Sequence, residues 1–274
     1  MVPPNAIAFP SGGNHLVVNT NARGPEGASA LPLSRDTLAA NQILKLLPRA
    51  ALDALAPGID VVDLRRGQSL FEPGDEVTHT HLPLGQTVVA LVVPMRDGRT
   101  VEATTIGREG AIGGIVSHGF QPAFTRAVLH IPGQAVRISL KHLEAAKRSE
   151  PRVHDLLSRY ADCLVAQVLQ SVGCAAVHPL EARCARWLLL MHDRLQQPDL
   201  PLTQEMLADM FGATRTYVTR IASSLQKRGA IVSRRGIIHI ESRALLEETT
   251  CECYSLVRRH FERVQPGLYP AKEL

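Results

Sequence analysis

The hydrophobic periodicity of this chain changes near residue 140, and that change restricts the folds open to it. Between Ile59 and about Leu140, apolar runs of strand length recur: Val61 to Leu64, Ser69 to Phe71, Val88 to Val93, Thr100 to Thr105, Ala127 to Ile131 and Ala135 to Ile138. Arg66-Gly67, Pro73-Gly74 and Pro132-Gly133 break them apart. Asp97-Gly98 marks a hairpin, because that pair accepts the positive φ of a tight turn. Several short strands at close spacing predict a compact β barrel or roll. From Leu143 onward the spacing becomes helical and stays so, apart from one short strand pair. The expected fold class is α+β, with the sheet and the helices segregated along the chain.

At about 150 residues per domain, 274 residues predict two domains. Apolar residues at 45% and charged residues at 20% exclude a largely disordered chain. The longest apolar run, Val88 to Val93, is far short of the roughly 18 residues of a membrane span, so no membrane partner is expected. No apolar segment follows the start as in a secretory signal, and the expected location is the cytoplasm. The five cysteines, Cys163, Cys174, Cys184, Cys251 and Cys253, are odd in number and read as reduced, packed thiols.

Residues 1–40, rich in Gly, Pro, Asn and Ser, read as a mobile arm. Ile43, Leu44, Leu46, Leu47, Leu52 and Leu55 predict two short helices around Pro48, and the roll domain is drawn as 41–145. Val153, Leu157, Tyr160, Leu164 and Val168 then make a narrow seam on one long helix, drawn as 146–177. So narrow a seam suits a partner helix and hence a homodimer; the alternative is packing on the chain's own strands. Residues 178–274 form the last domain, with a helical extension after Ser242.

Net charge is only +4, yet from Gly212 to Ile240 there are six Lys or Arg and no Asp or Glu. Such a stripe is the footprint of a nucleic-acid-binding module. Residues 204–223 within it fit a helix-turn-helix. Leu207, Ala208 and Phe211 face one way on a first helix, Gly212 makes the turn, and Val218, Ile221, Ala222 and Leu225 form one face of a second. Thr203 and Thr214 stand at the N-cap positions. Ile231 to Ser233 and Ile237 to Ile240, turning at Arg234-Arg235-Gly236, read as a β wing. Thr214, Arg215, Thr216, Tyr217, Thr219 and Arg220 around the leading turns of the second helix, with Lys227, Arg234 and Arg235, are the expected DNA contacts. Arginine suits guanine because its forked donors match O6 and N7 together. Lys227 and the wing arginines suit phosphate.

In its order of parts, residues 41–241 resemble the bacterial transcription regulators of the Crp/Fnr family. Arg66-Gly67-Gln68-Ser69-Leu70-Phe71-Glu72-Pro73-Gly74-Asp75 is similar to that family's early roll strands, and Thr203 to Ile231 to its DNA-reading segment. The resemblance implies a cyclic-nucleotide-binding-domain-like β roll joined by a long dimerisation helix to a C-terminal winged helix-turn-helix. It implies a homodimer on a palindromic double-stranded operator, with RNA polymerase as a further partner. It places Arg220 at the guanine-contacting position and Arg215 at a second DNA contact. Thr216 stands where many members carry a glutamate that reads cytosine, so a different half-site is expected.

The sensor half departs further from the family. The stretch comparable to the cyclic-nucleotide cassette is Gly107-Arg108-Glu109-Gly110, followed by Thr125-Arg126-Ala127, and these residues are the candidate effector pocket. Thr125 occupies the phosphate arginine's place, and Arg126 is one residue late, which on a strand turns it to the opposite face. Cyclic AMP is therefore not expected, and the effector is left open. A helix over 244–262 would point Cys251 and Cys253 about 200° apart, so no metal site is expected there. His79 and His81 alternate onto one face without further ligands. No Gly-x-Ser-x-Gly, His-Glu-x-x-His or dinucleotide fingerprint occurs, so an enzyme is not expected. The competing reading is a sensor of a small molecule, such as a cyclic nucleotide, haem or a metal, acting through protein partners.

Overall fold

The computed structural model describes residues 34–116 and 122–270. The expected arm lies outside the described residues as far as position 33, but its last residues fold. Ser34 caps a helix α1 (Arg35–Ala39), accepting from Thr37 N, and Leu38 is buried. The helices α2 (Gln42–Leu46) and α3 (Arg49–Leu55) flank Pro48 as the spacing predicts. Asn41 caps α2 and also donates to the carbonyls of Pro83 and Gly110, tying these helices to the strands behind them.

Among the described residues seven strands form the roll: β1 (Ile59–Leu64), β2 (Ser69–Phe71), β3 (His79–Pro83), β4 (Val88–Pro94), β5 (Thr100–Ile106), β6 (Arg126–Ile131) and β7 (Gly133–Ser139). They pair antiparallel in two sheets, β1-β7-β3 and β2-β6-β4-β5. Gly98 takes φ +84° in the β4–β5 hairpin. Along β6, Ala127, Leu129 and Ile131 are buried while Arg126, Val128 and His130 are partly exposed. Ala127 and Leu129 join Leu64, Val89, Ile106, Ile112 and Ala135 in the apolar interior. Burial lowers His81 to about 4, helped by the charges of His79 and Arg137, so it stays neutral.

The predicted long helix is present as one helix, but it starts at residue 151 rather than 146, because a separate helix precedes it. Leu140–Ser149 (α4) ends before Pro151, and Pro151–Val177 (α5) begins with it. Proline has no N–H to continue the first helix, and it drives the preceding residue extended; Glu150 has φ −134°, ψ 95°.

The seam on α5 is also corrected. Val153, Leu157 and Tyr160 are buried within the same chain, and Leu164 packs against the core, so this face meets the roll rather than a partner. A different stripe is left in solvent: Val165, Leu169 and Val172, 58%, 66% and 64% exposed, continuing to Ala176. At about 100° per residue it centres roughly 120° round the helix from the roll-facing set. By length and composition α5 could cross a bilayer, but its inner face is held against protein.

Beyond His178-Pro179 comes α6 (Leu180–Leu195), buried along almost its whole length. The strand β8 (Asp199–Leu200), helices α7 (Gln204–Phe211) and α8 (Arg215–Lys227), and strands β9 (Ile231–Arg234) and β10 (Ile237–Ile240) follow, with sheet order β8-β10-β9. The extension is α9 (Arg243–Thr249) and α10 (Cys253–Val264), not one helix. Thr250 is extended at φ −73°, ψ 161°, because α9 packs on α6 while α10 turns away to pack on α5.

Candidate nucleic-acid interface

Local chemistry fixes the helix-turn-helix. Thr203 Oγ1 accepts from Met206 N at 3.1 Å at the start of α7. Gly212, at φ +59°, ends that helix in the left-handed conformation that costs other residues more. Thr214 Oγ1 then accepts from Tyr217 N at 3.3 Å and opens α8. Val218, Ile221, Ala222 and Leu225 are buried, as their spacing predicts.

With that face inward, Arg215, Thr216, Tyr217, Thr219 and Arg220 are exposed on the leading turns, beside Thr214. The Arg220 guanidinium lies 5.2 Å from the Tyr217 ring centroid, a stacking contact that orients its fork. Thr219 Oγ1 is 2.9 Å from both Gln204 Oε1 and Arg215 O, which binds α8 to α7 and leaves this hydroxyl less free for a base. Lys227 is exposed at the trailing end, and Arg228 donates to Thr249 Oγ1 at 3.1 Å.

The wing turns at Arg235-Gly236, with Ile237 paired to Arg234 and Gly236 at φ +78°. Arg234 and Arg235 are exposed at its tip. Ser233 N donates to Gln226 Oε1 at 2.7 Å, and Gln204 Nε2 to Ser233 Oγ at 3.3 Å, so the wing is anchored to both helices. The structure thus gathers the exposed cations onto α8 and the wing, a stretch from Gly212 to Ile240 without Asp or Glu, while the exposed carboxylates Glu205 and Asp209 lie on α7.

The candidate effector residues divide between two surroundings. Gly107, Glu109 and Gly110 lie in the loop after β5, and the chain's own side chains fill the space above them. Arg194, from α6, sets Nε and Nη2 2.8 and 2.7 Å from Glu109 Oε1; Nη1 lies 2.5 Å from Thr105 Oγ1, and Nη2 donates to Thr105 O at 2.8 Å. Both side chains are buried, 1% and 2% exposed. Burial is the largest single influence and opposes the charge on Arg194, but Glu109, Tyr269 and Glu102 together raise its pKa. Tyr160 of α5 donates to Ala111 O at 3.1 Å, and burial raises its phenol. A Cβ on Gly107 would stand 2.8 Å from Arg194 Cδ, and one on Gly110 would meet the Tyr160 hydroxyl, so these glycines serve close packing rather than an anion cradle. The Arg108 carbonyl accepts from Gln42 N at 2.7 Å. Arg126, after Thr125, pairs with Glu72 at 2.7 Å, half exposed.

Sequence reasoning missed the contacts that fasten this unit to the roll. Besides Arg194–Glu109, Trp187 Nε1 donates to Glu102 Oε1 at 2.9 Å, and Arg66 Nη2 to Pro201 O at 2.9 Å. Buried Asp193 gathers Arg243 at 2.9 Å, Arg258 at 2.7 Å and the Tyr254 hydroxyl at 2.8 Å, which fixes the extension to α6. The available signal was His192-Asp193-Arg194, three polar residues directly following an apolar helical run.

Residues 182–249 match the family model of a Crp-like helix-turn-helix domain. The fold is that of a regulator assigned to the Crp/Fnr family from Eubacterium rectale (TM-score 0.57, 15% identity, 76% of this chain and 96% of that one). It is also similar to FixK2 from Bradyrhizobium japonicum (TM-score 0.60, 18% identity, 70% of this chain and 98% of that one). The last part of the chain thus matches a Crp-like helix-turn-helix domain, and the described fold is similar to that of Crp/Fnr regulators. A curated relative, the Global nitrogen regulator of Synechococcus elongatus, is 22% identical over 179 residues, 62% of this chain and 80% of that protein. The matched helix-turn-helix domain and these likenesses support a DNA-binding transcription regulator.

Proposed function

We propose that the chain acts as a cytoplasmic homodimer that reads a palindromic operator through α8. What carries the reading is that face of α8 where Arg215, Thr216, Tyr217 and Arg220 stand in solvent while the opposite face is buried. Two such helices, joined through the exposed stripe of α5, would enter successive major grooves about one turn of DNA apart. RNA polymerase is the partner through which bound protein would act on transcription. The roll is the regulatory half. Because Arg194 inserts into it, an effector that displaces this contact would also move the DNA-binding unit. Cyclic AMP is not the effector this reading favours, because the carboxylate in the cassette loop is engaged by a guanidinium and Arg126 pairs with Glu72.

Selection of bound duplexes from a random pool tests this directly, and it should return two half-sites in inverted orientation. A recovered site without inverted symmetry refutes the dimeric reading. On the selected site, Arg220→Ala should cost about 1–3 kcal/mol at one base pair and flatten discrimination there. Equal loss on every sequence would remove Arg220 from base reading. Arg235→Ala should weaken all duplexes alike. If each wing holds one phosphate through it, the slope of log K against log salt should become shallower by about 0.9 per protomer. An unchanged slope in a salt titration would take the wing off the backbone.

A further inference from the structure

The break between α9 and α10 does more than turn the chain. It brings Cys251 and Cys253 to the C-terminal end of α5, beside Cys174 and His178. One ligand atom from each of the four lies within 4.8 Å of all the others. Cys174 Sγ and Cys251 Sγ are 3.5 Å apart, as are Cys253 Sγ and His178 Nδ1. A tetrahedral zinc centre with Zn–S bonds of about 2.3 Å needs edges of about 3.8 Å, so the four atoms require only small adjustments to close on one ion. The expectation that Cys251 and Cys253 diverge assumed an unbroken helix, and it fails with the break.

The surroundings are those of a metal centre too. His178 turns Nδ1 toward the thiols, and its Nε2 lies 3.2 Å from Glu252 Oε2, the carboxylate partner that fixes the tautomer and orientation of ligating histidines. Gln170 Nε2 donates to Cys253 Sγ at 3.0 Å. Cys253 is the first residue of α10, directly after Glu252. All three cysteines are buried, so their sulfurs compete little with water for a soft cation.

We propose that Cys174, His178, Cys251 and Cys253 form a Cys3His site for a thiophilic divalent ion, zinc before others. Two ligands come from the end of α5 and two from the extension, with the linker His178-Pro179 leading directly into α6. A bound ion therefore clamps the joint between the dimer stripe and the DNA-binding unit. The thiols would release their protons on binding, with no redox step. This inference stands independently of the operator reading.

The test uses the full-length chain, purified under reducing conditions from zinc-supplemented cells. Elemental analysis should give one zinc per chain. Protein stripped by a chelator and reloaded with Co2+ should show the thiolate-to-cobalt charge-transfer absorption and ligand-field bands of a tetrahedral site. Cys251→Ser, Cys253→Ser and Cys174→Ser should each lower stoichiometric binding, while Cys184→Ala, on α6, should leave one equivalent. Glu252→Ala should weaken Co2+ affinity by about tenfold, the low end for an outer partner that is mostly exposed. Wild-type protein without zinc that also takes up no Co2+ overturns the site. So does metal content unaffected in all three serine variants. Iron with acid-labile sulfide, or a Cys174–Cys251 disulfide surviving in the reduced preparation, overturns it as well.

Discussion

Leu169→Glu is expected to leave a folded monomer whose affinity for a palindromic operator is lower by about 10²- to 10⁴-fold. Folding should survive because Leu169 is 66% exposed in the single chain and makes no part of its core. A two-fold axis through the α5 stripe brings the same residues of both copies together, so one substitution sets two carboxylates facing each other in an apolar seam. That combines the loss of buried leucine contact, about 1.5–3 kcal/mol per side chain, with like-charge repulsion and desolvation. A monomer keeps each α8 intact but loses the linkage that makes the second half-site an intramolecular event, and this linkage is the source of the predicted factor. Sedimentation and a titration against the selected duplex read the two effects separately. A variant that still sediments as a dimer would move the interface off this stripe. The same substitution at Leu157, buried against the roll, should instead unfold the protein.

The contrast between Leu169 and Leu157 shows how far a sequence of this kind can be read. Most strands were legible as short apolar runs separated by Gly and Pro; β6 buries alternate residues, but β4 is buried on successive ones, and β3 was not among the expected runs. The helix-turn-helix was legible because its geometry is local: Thr203, Gly212 and Thr214 act within a few residues of themselves. On α5 the periodicity correctly reported an apolar face, but two apolar faces share that helix, and spacing alone does not say which one meets the same chain. Val153, Leu157, Tyr160 and Leu164 belong to the roll, and Val165, Leu169, Val172 and Ala176 to solvent. The cysteine cluster and Arg194 were hidden for a different reason. Their partners are 77 and 85 positions away, for Cys174–Cys251 and Arg194–Glu109, and only tertiary packing brings them together. Pro151 was a visible stop signal, and α4 does end before it, as proline chemistry requires.

Glu109→Ala is expected to destabilise the chain by about 3–5 kcal/mol, because it strands the Arg194 charge in the interior. At 2.7 Å and an effective dielectric of about 20, the attraction within the pair is about 6 kcal/mol. Desolvation of two ions costs several kcal/mol each, so the intact pair adds little net stability. Its geometry is also uneven. Glu109 Oε1 faces Gly107 N and the guanidinium, while Oε2 is buried without a hydrogen-bond partner among the described residues. The large effect of the single variant therefore comes from orphaning a 1% exposed guanidinium, not from losing a strong bond. At about 2–4 °C per kcal/mol for a chain of this size, the melting temperature should fall by about 6–20 °C. Glu109→Ala with Arg194→Met removes both charges, and it should recover much of that loss even though the contacts with Thr105 go with it. Calorimetry of the two variants decides the matter. A double variant no more stable than Glu109→Ala would mean that Arg194 matters through its packing and its hydrogen bonds to β5. Recovery would instead mean that a net-neutral ion pair is kept at this joint because it fixes how α6 sits on the roll, the arrangement any regulatory signal has to change.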